Sequence, residues 1–118
     1  MLITTTPTVE GQRVLHYRGL VTGEAIIGAN LFRDLLASMR DMIGGRSRAY
    51  EEALETARQA ATDEMVLRAK AKNANAVIGV DLDYEVFGEG GMMLVSVSGT
   101  AVLLDSQMPQ GELPPIAT

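Results

Sequence analysis

The sequence predicts a small α+β fold, in which an antiparallel or mixed sheet packs on one long helix. Residues 76–86 and 92–104 alternate between two kinds of side chain, as strands do when successive residues point to opposite faces. A glycine-rich break at residues 88–91 separates the two runs, which predicts a β-hairpin. Between residues 30 and 72, apolar side chains instead recur at helical spacing. The predicted order is strand, helix, helix, strand, strand.

The strands before the helices are predicted from short alternating segments. Residues 2–5 form a predicted short strand that Pro7 ends, because proline cannot donate to a ladder. Residues 13–24 alternate loosely and are predicted as a longer strand. Glycines 23 and 28 are then interpreted as turn residues between this strand and the first helix.

Two helices follow, each with a plausible start and stop. The first is predicted over residues 30–43, with Asn30 as its N-cap and Gly44 at its end. The second is predicted over residues 47–72, with Ser47 as its N-cap. Its predicted apolar stripe consists of Tyr50, Ala53, Leu54, Ala57, Ala60, Ala61, Met65, Leu67 and Ala71. Alanine at so many of these positions would let helix and sheet approach closely.

The sheet is predicted to have one covered face and one open face. The helical crossover predicts that strand 13–24 and the first hairpin strand are parallel neighbours, connected with right-handed chirality. The face towards the helix is predicted to carry Ile78, Val80, Leu82, Met93, Val95, Val97, Ala101 and Leu103. The opposite face is predicted to carry Asp81, Asp83, Glu85, Met92, Leu94, Ser96, Ser98, Thr100, Val102 and Leu104. Such a sheet leaves edges and apolar patches in water, which predicts a homo-oligomer that assembles through the sheet.

Composition narrows the classes of function. The 118 residues carry a net charge of -5 with only 10 Lys and Arg, which disfavours binding to nucleic acid. There is no Cys, so disulfides, thiolate metal sites and thiol chemistry are excluded. Neither a signal peptide nor a long apolar run is recognisable, and we expect a soluble cytoplasmic protein without a membrane partner. We expect one domain over residues 1–104 and a flexible Pro-rich tail over residues 105–118.

The strongest chemical feature is a row of three carboxylates, Asp81, Asp83 and Glu85, on one face of a predicted strand. If strand 13–24 pairs alongside, His16 and Glu24 approach the same face. The row is then a candidate site for a hard cation or for acid–base chemistry. The alternative is a solvated strand face, or salt bridges to arginines of a neighbouring subunit.

Two further candidates have ready structural alternatives. Gly45, Arg46, Ser47 and Arg48 precede a helix and could hold an anion at its N-terminus, or they could simply be helix caps and solvated charges. Glu24 could be a buried acid with a raised pKa, or it could pair with Arg33 or with another subunit.

Several blocks of this chain together resemble the YbjQ-like family of small bacterial proteins. These blocks are TTPTVEG at 5–11, VTGEAIIGAN at 21–30, FRD at 32–34, RDMIGGRSRAYE at 40–51, NAVIGVDLDYE at 75–85 and MLVSVSGTAV at 93–102. The resemblance covers residues 1 to about 104. It implies a small α+β subunit of a dodecin-like fold group that assembles as a pentamer. It also implies a heavy-metal-binding label without an established activity.

The leading expectation is therefore a non-enzymatic oligomeric protein that binds a metal ion or small ligand at its subunit interfaces. Because the chain has one His and no Cys, a divalent metal would need oxygen ligands, or His16 from several subunits. The alternatives are an enzyme with carboxylate acid–base chemistry at such an interface and a scaffold for protein interaction.

Overall fold

The computed structural model describes residues 1–40, 48–88 and 91–105, and for residues 38–40 it describes the backbone alone. The expected tail, apart from Asp105, lies outside the described residues, as do the Gly44 helix end and the Ser47 cap. The elements are β1 (Leu2–Ile3), β2 (Arg13–Ile27), α1 (Ala29–Arg40), α2 (Arg48–Ala71), β3 (Ala76–Phe87) and β4 (Met92–Asp105). The predicted α+β class and hairpin are confirmed.

The sheet has four strands in the order β1-β3-β4-β2. β4 is antiparallel to both β2 and β3, and the short β1 is parallel to β3. The prediction that β2 and β3 are neighbours is therefore wrong, because β4 lies between them. The physical reason is burial: β4 has no fully exposed side chain between Met93 and Asp105, and such a strand belongs inside the sheet.

One face of the sheet packs against α1 and α2. Its buried cluster contains Val21, Ile27, Phe32, Leu35, Ala57, Ala61, Met65, Ala69, Val77, Met93, Val95, Val97 and Ala101. Three positions of the predicted α2 stripe are wrong, because Ala60, Leu67 and Ala71 are exposed while Ala69 is buried. The stripe therefore follows the four-residue spacing of residues 57, 61, 65 and 69.

Gly23 lies within β2, not in a turn, and it sets how closely α2 approaches the sheet. A Cβ built on Gly23 would be 1.8 Å from the carbonyl oxygen of Ala61 and 2.8 Å from the amide nitrogen of Met65. No other residue type fits there without displacing the helix. The turn into α1 is at Gly28, whose carbonyl accepts a hydrogen bond from the amide of Phe32.

A bulge in β3 divides that strand between the two faces. The register shifts between Ile78 and Asp81, and Gly79 has a φ of 60°. Val77 packs under the helices, but Ile78 packs on the opposite face, contrary to the prediction for Ile78. There it joins a second small cluster with Ala76, Val102 and Leu104, against which Val9 and Val14 pack.

The end of α2 is closed by local hydrogen bonds that aim the chain into β3. Asn73 has a φ of 60°, and the amides of Asn73 and Ala74 donate to the carbonyls of Lys70 and Ala69. This is a Schellman motif with Asn in the left-handed position. No helix in the described part of the chain is long and apolar enough to cross a membrane.

Candidate carboxylate site

The open face of the sheet carries three rows of side chains, each with one residue from β3, β4 and β2. From the pairing register, the rows are Asp81, Ser98 and Thr22; Asp83, Ser96 and Glu24; and Glu85, Leu94 and Ile26. The first two rows form a polar patch of three carboxylates and three hydroxyls, which we call the carboxylate face.

The bulge at Gly79 places the acids on this face. Val77 points towards the helices, so strict alternation would send Asp81, Asp83 and Glu85 into the helix-packed core. The two residues of the bulge, Gly79 and Val80, restore the alternation in the opposite phase. The predicted outward position of the three acids is found, although the prediction for Ile78 is wrong.

Asp81 and Asp83 interact directly, and this pair is the main electrostatic feature of the face. A hydrogen bond that the protonated Asp83 carboxyl donates to the Asp81 carboxylate raises the pKa of Asp83, and the charges of Asp81 and Glu85 raise it further. Ionisation of Asp83 is therefore opposed by the neighbouring negative charges. Both residues are exposed, so solvent screens the repulsion between them.

Glu24 also lies on this face, but farther from Asp83 than Asp81 does. One strand separates it from Asp83, so their Cα atoms are about 10 Å apart, or two strand spacings. Glu24 is exposed, so the alternative of a buried acid is wrong. Arg33 donates instead to Asn30 Oδ1 at 2.9 Å, so the predicted N-cap residue sits inside α1 and binds an arginine.

His16 does not join the carboxylates. It pairs with Leu103, whereas Glu24 pairs with Ser96, seven residues away along β4. This separation is about 24 Å along the strand. The expectation that His16 approaches the row is wrong, because the register of β2 on β4 places His16 at the other end of the sheet.

The predicted anion site is only partly covered by the described residues. Gly45, Arg46 and Ser47 lie outside them, and Arg48 is an exposed residue at the start of α2. Sequence reasoning placed Ser96 and Ser98 on the face of the carboxylates, and the pairing register confirms this. It missed Thr22, which only the register of β2 on β4 brings to the same row, because alternation alone does not specify that register.

Within the described residues, no group of three or more His, Asp or Glu side chains is close enough to hold a metal ion. One chain therefore offers the Asp81–Asp83 pair with nearby hydroxyls. Hard cations take six or more oxygen ligands, so this set would be an incomplete coordination shell. Water, a small ligand or a second chain would have to complete it.

Comparison with known proteins agrees with the fold. A YbjQ family model described as "Putative heavy-metal-binding" matches residues 1–105. A solved structure of a protein of unknown function in the DUF74 family, from Pediococcus pentosaceus, is similar with a TM-score of 0.63. The two sequences are 17% identical, and the match covers 89% of this chain and 98% of that chain. At this identity the likeness concerns the fold.

Proposed function

We propose, from the premise that this chain belongs to the YbjQ-like family, that it is a non-enzymatic binding protein of the cytoplasm. In this proposal it works as a homo-oligomer, with five copies as the family resemblance implies. It binds a divalent metal ion, or a small cationic ligand, on the carboxylate face at subunit interfaces. The Asp81–Asp83 pair carries the proposal, because two exposed carboxylates that repel one another are relieved when a cation binds between them.

The chemistry of the face favours a hard cation over a soft one. Carboxylates and hydroxyls supply oxygen atoms, which suit Mg²⁺, Ca²⁺ or Mn²⁺. The chain has no thiolate, and its single His lies far from the pair. We therefore narrow the heavy-metal-binding description of the family to oxygen-liganded divalent ions for this chain.

The apolar side chains on the same face support assembly. Leu20 is 70% exposed and Ile26 is 64% exposed, and they flank the polar rows on β2. Large apolar side chains that are this exposed on an open sheet face can be covered by a neighbouring subunit. A second copy would cover these side chains and could add the oxygen ligands that one chain does not supply.

A catalytic function is the second candidate, and one observation favours it. The pKa of Asp83 is raised beside Asp81, so the two carboxyls could act as proton donor and acceptor. The face is open, however, and enzymes place such pairs in clefts that exclude water. A scaffold without a ligand is the remaining alternative.

Native mass spectrometry of the untagged protein, with Mn²⁺, Ca²⁺ and Zn²⁺ added in turn, tests the proposal. We expect a fivefold mass with bound Mn²⁺ or Ca²⁺ in preference to Zn²⁺. The double variant Asp81→Asn with Asp83→Asn should weaken binding by at least about tenfold. The control Asp34→Asn removes one carboxylate from α1 and should leave binding unchanged.

Three outcomes would contradict the proposal. A monomer at micromolar concentration would overturn the assembly. A fivefold mass that takes up none of the ions would favour a scaffold. Unchanged binding in the double variant would place the cation elsewhere.

A further inference from the structure

The bulge in β3 is matched on its outer side by the N-terminal segment, which we define as residues 4–9. In a regular parallel ladder, the amide and the carbonyl of one residue bind partner residues two positions apart. The amide of Thr4 donates to the carbonyl of Val77 at 3.0 Å, but the carbonyl of Thr4 accepts from the amide of Val80, three positions later, at 3.0 Å. Thr4 therefore spans the extra residue of the bulge from the edge of the sheet.

The N-terminal segment also binds the amide that the bulge leaves out of this ladder. The amide of Gly79 donates to the carbonyl of Thr6 at 2.8 Å, so both residues of the bulge, Gly79 and Val80, have a backbone partner in the segment. Without the extra residue, the amide of Gly79 would lie opposite the carbonyl of Thr4. The two bonds together are therefore specific to the bulged form of β3.

Hydrogen bonds between threonines fix the shape of the N-terminal segment. The Thr6 hydroxyl donates to the carbonyl of Thr8 at 2.6 Å, so the Thr4 hydroxyl is the donor in its 2.8 Å bond to the Thr6 hydroxyl. The amide of Thr6 donates to Thr4 Oγ1 at 3.2 Å. Because Thr6 Oγ1 takes part in both hydroxyl bonds, the positions of the two carbonyls that bind the bulge depend most on this side chain.

The bulge is also enclosed on the two faces of the sheet. On the open face, Val9 packs against the small cluster that contains Ile78, the residue before the bulge. On the helix side, Gly99 of β4 provides the space, because a Cβ there would be 2.5 Å from Val77 Cγ1 and 3.0 Å from Val80 Cγ2. The N-terminal segment therefore contacts the bulge region at the edge and on the open face, and β4 accommodates it within the sheet.

We propose that the N-terminal segment positions the carboxylate face by holding the β3 bulge, with Thr6 as its main positioning residue. Asp81 follows directly after the bulge, and one extra residue decides which face of the sheet Asp81 and Asp83 occupy. If the segment loosens, the two carboxylates lose their common orientation and bind a cation less tightly. This inference deepens the proposed cation binding and rests on it.

An isosteric substitution in the full chain tests the role of Thr6. Thr6→Val removes the hydroxyl and keeps the shape of the side chain, so both hydroxyl bonds are lost. We expect hydrogen exchange at the amides of Gly79 and Val80 to become about tenfold faster. Exchange at the buried Val95, on the central strand β4, should be unchanged. The dissociation constants for Mn²⁺ and Ca²⁺, measured by isothermal titration calorimetry, should rise about tenfold.

Two matched variants separate the hydroxyl of Thr6 from other effects of substitution. Thr5→Val is the control, because Thr5 is exposed and its side chain makes no hydrogen bond within the described residues. It should leave amide exchange and cation affinity unchanged. Thr6→Ser retains a hydroxyl, and it should restore both quantities to their wild-type values.

The outcomes distinguish this inference from the proposed function. Exchange that accelerates equally at Gly79, Val80 and Val95 in Thr6→Val would be a general loss of stability, and the positioning role would be wrong. It would also be wrong if exchange at the bulge accelerated while cation affinity stayed the same. If the wild-type chain binds neither Mn²⁺ nor Ca²⁺, the proposed function is wrong, and the exchange rates alone decide whether the segment holds the bulge.

Discussion

The two faces of the sheet bury apolar side chains to very different extents. Under the helices, Val77, Val95 and Ala101 are completely buried together with Ala61 and Met65 of α2. On the open face, a small cluster around Ile78 and Val102 is covered by residues of the N-terminal part of the chain, and the rest is carboxylate, hydroxyl and exposed apolar surface. The covered face explains the stability of the subunit, and the open face is where a partner or ligand can act.

The difference between the covered face and the open face depends on two glycines, and each is required for a different physical reason. Gly23 has no room for a side chain, since α2 lies directly on it. Gly79 has open space around it, but its φ of 60° is one that other residues rarely adopt. The first glycine allows the helix-covered face to close, and the second turns the carboxylates away from it.

Gly23→Ala should have the largest effect on the covered face. The new Cβ would overlap the carbonyl oxygen of Ala61, so α2 must move away from the sheet. We expect the free energy of unfolding to fall by about 3 kcal/mol, at the upper end of overpacking effects. Urea denaturation followed by circular dichroism measures it.

Gly28→Ala is the matched control, because a Cβ there meets nothing within 4 Å. It should change the free energy of unfolding by no more than about 0.5 kcal/mol. If Gly23→Ala were as stable as Gly28→Ala, close helix–sheet approach would not explain the covered face.

Gly79→Ala should have an intermediate effect and act through the backbone alone. Nothing lies within 4 Å of the new Cβ, so the cost is that of a left-handed alanine, about 1 kcal/mol. The same urea experiment measures it. A loss as large as that for Gly23→Ala would mean that the bulge is held by packing and not by backbone conformation.

Asp83→Asn should have the smallest effect, and its sign depends on pH. Because the pKa of Asp83 is raised in the folded state, the folded chain binds the proton of the Asp83 carboxyl more tightly than the unfolded chain does. The protonated Asp83 carboxyl therefore stabilises the fold below the pKa that Asp83 has in the unfolded chain. This stabilisation is lost as the pH rises through the pKa that Asp83 has in the folded chain. Asp83→Asn should therefore raise the free energy of unfolding at pH 7 and not at pH 3, in metal-free buffer.

Asp81→Asn offers an independent check on this pair. It removes one of the two like charges, so the pKa of Asp83 should return towards its usual range. A carbon-detected NMR titration of the Asp83 carboxyl reports this value directly. An unchanged pKa in Asp81→Asn would show that the two carboxyls do not interact in solution.

Local patterns were sufficient to predict the elements and much of the covered face. Alternation located β3 and β4 within a residue or so, and helical spacing located Ala57, Ala61 and Met65. These predictions succeed because the spacing of apolar residues shows which side of a helix or strand is buried. That spacing can be read from the sequence of the element itself.

Strand neighbours and the bulge were decided by the tertiary structure. Nothing local indicates that β4 lies between β2 and β3, because pairing depends on which strand loses most water on both faces. The register of β2 on β4 is also not readable from local patterns, so His16 was wrongly placed near the acids and Thr22 was not recognised as facing Asp81 across β4.

The sequence by itself determined the α+β class, the hairpin and the outward row of Asp81, Asp83 and Glu85. Only the tertiary structure decided that Ile78 lies on the same face as that row and that Thr22 faces Asp81 across β4. The physical reason is range: alternation and capping act within a few residues, whereas register and edge protection join residues that are tens of positions apart in the chain.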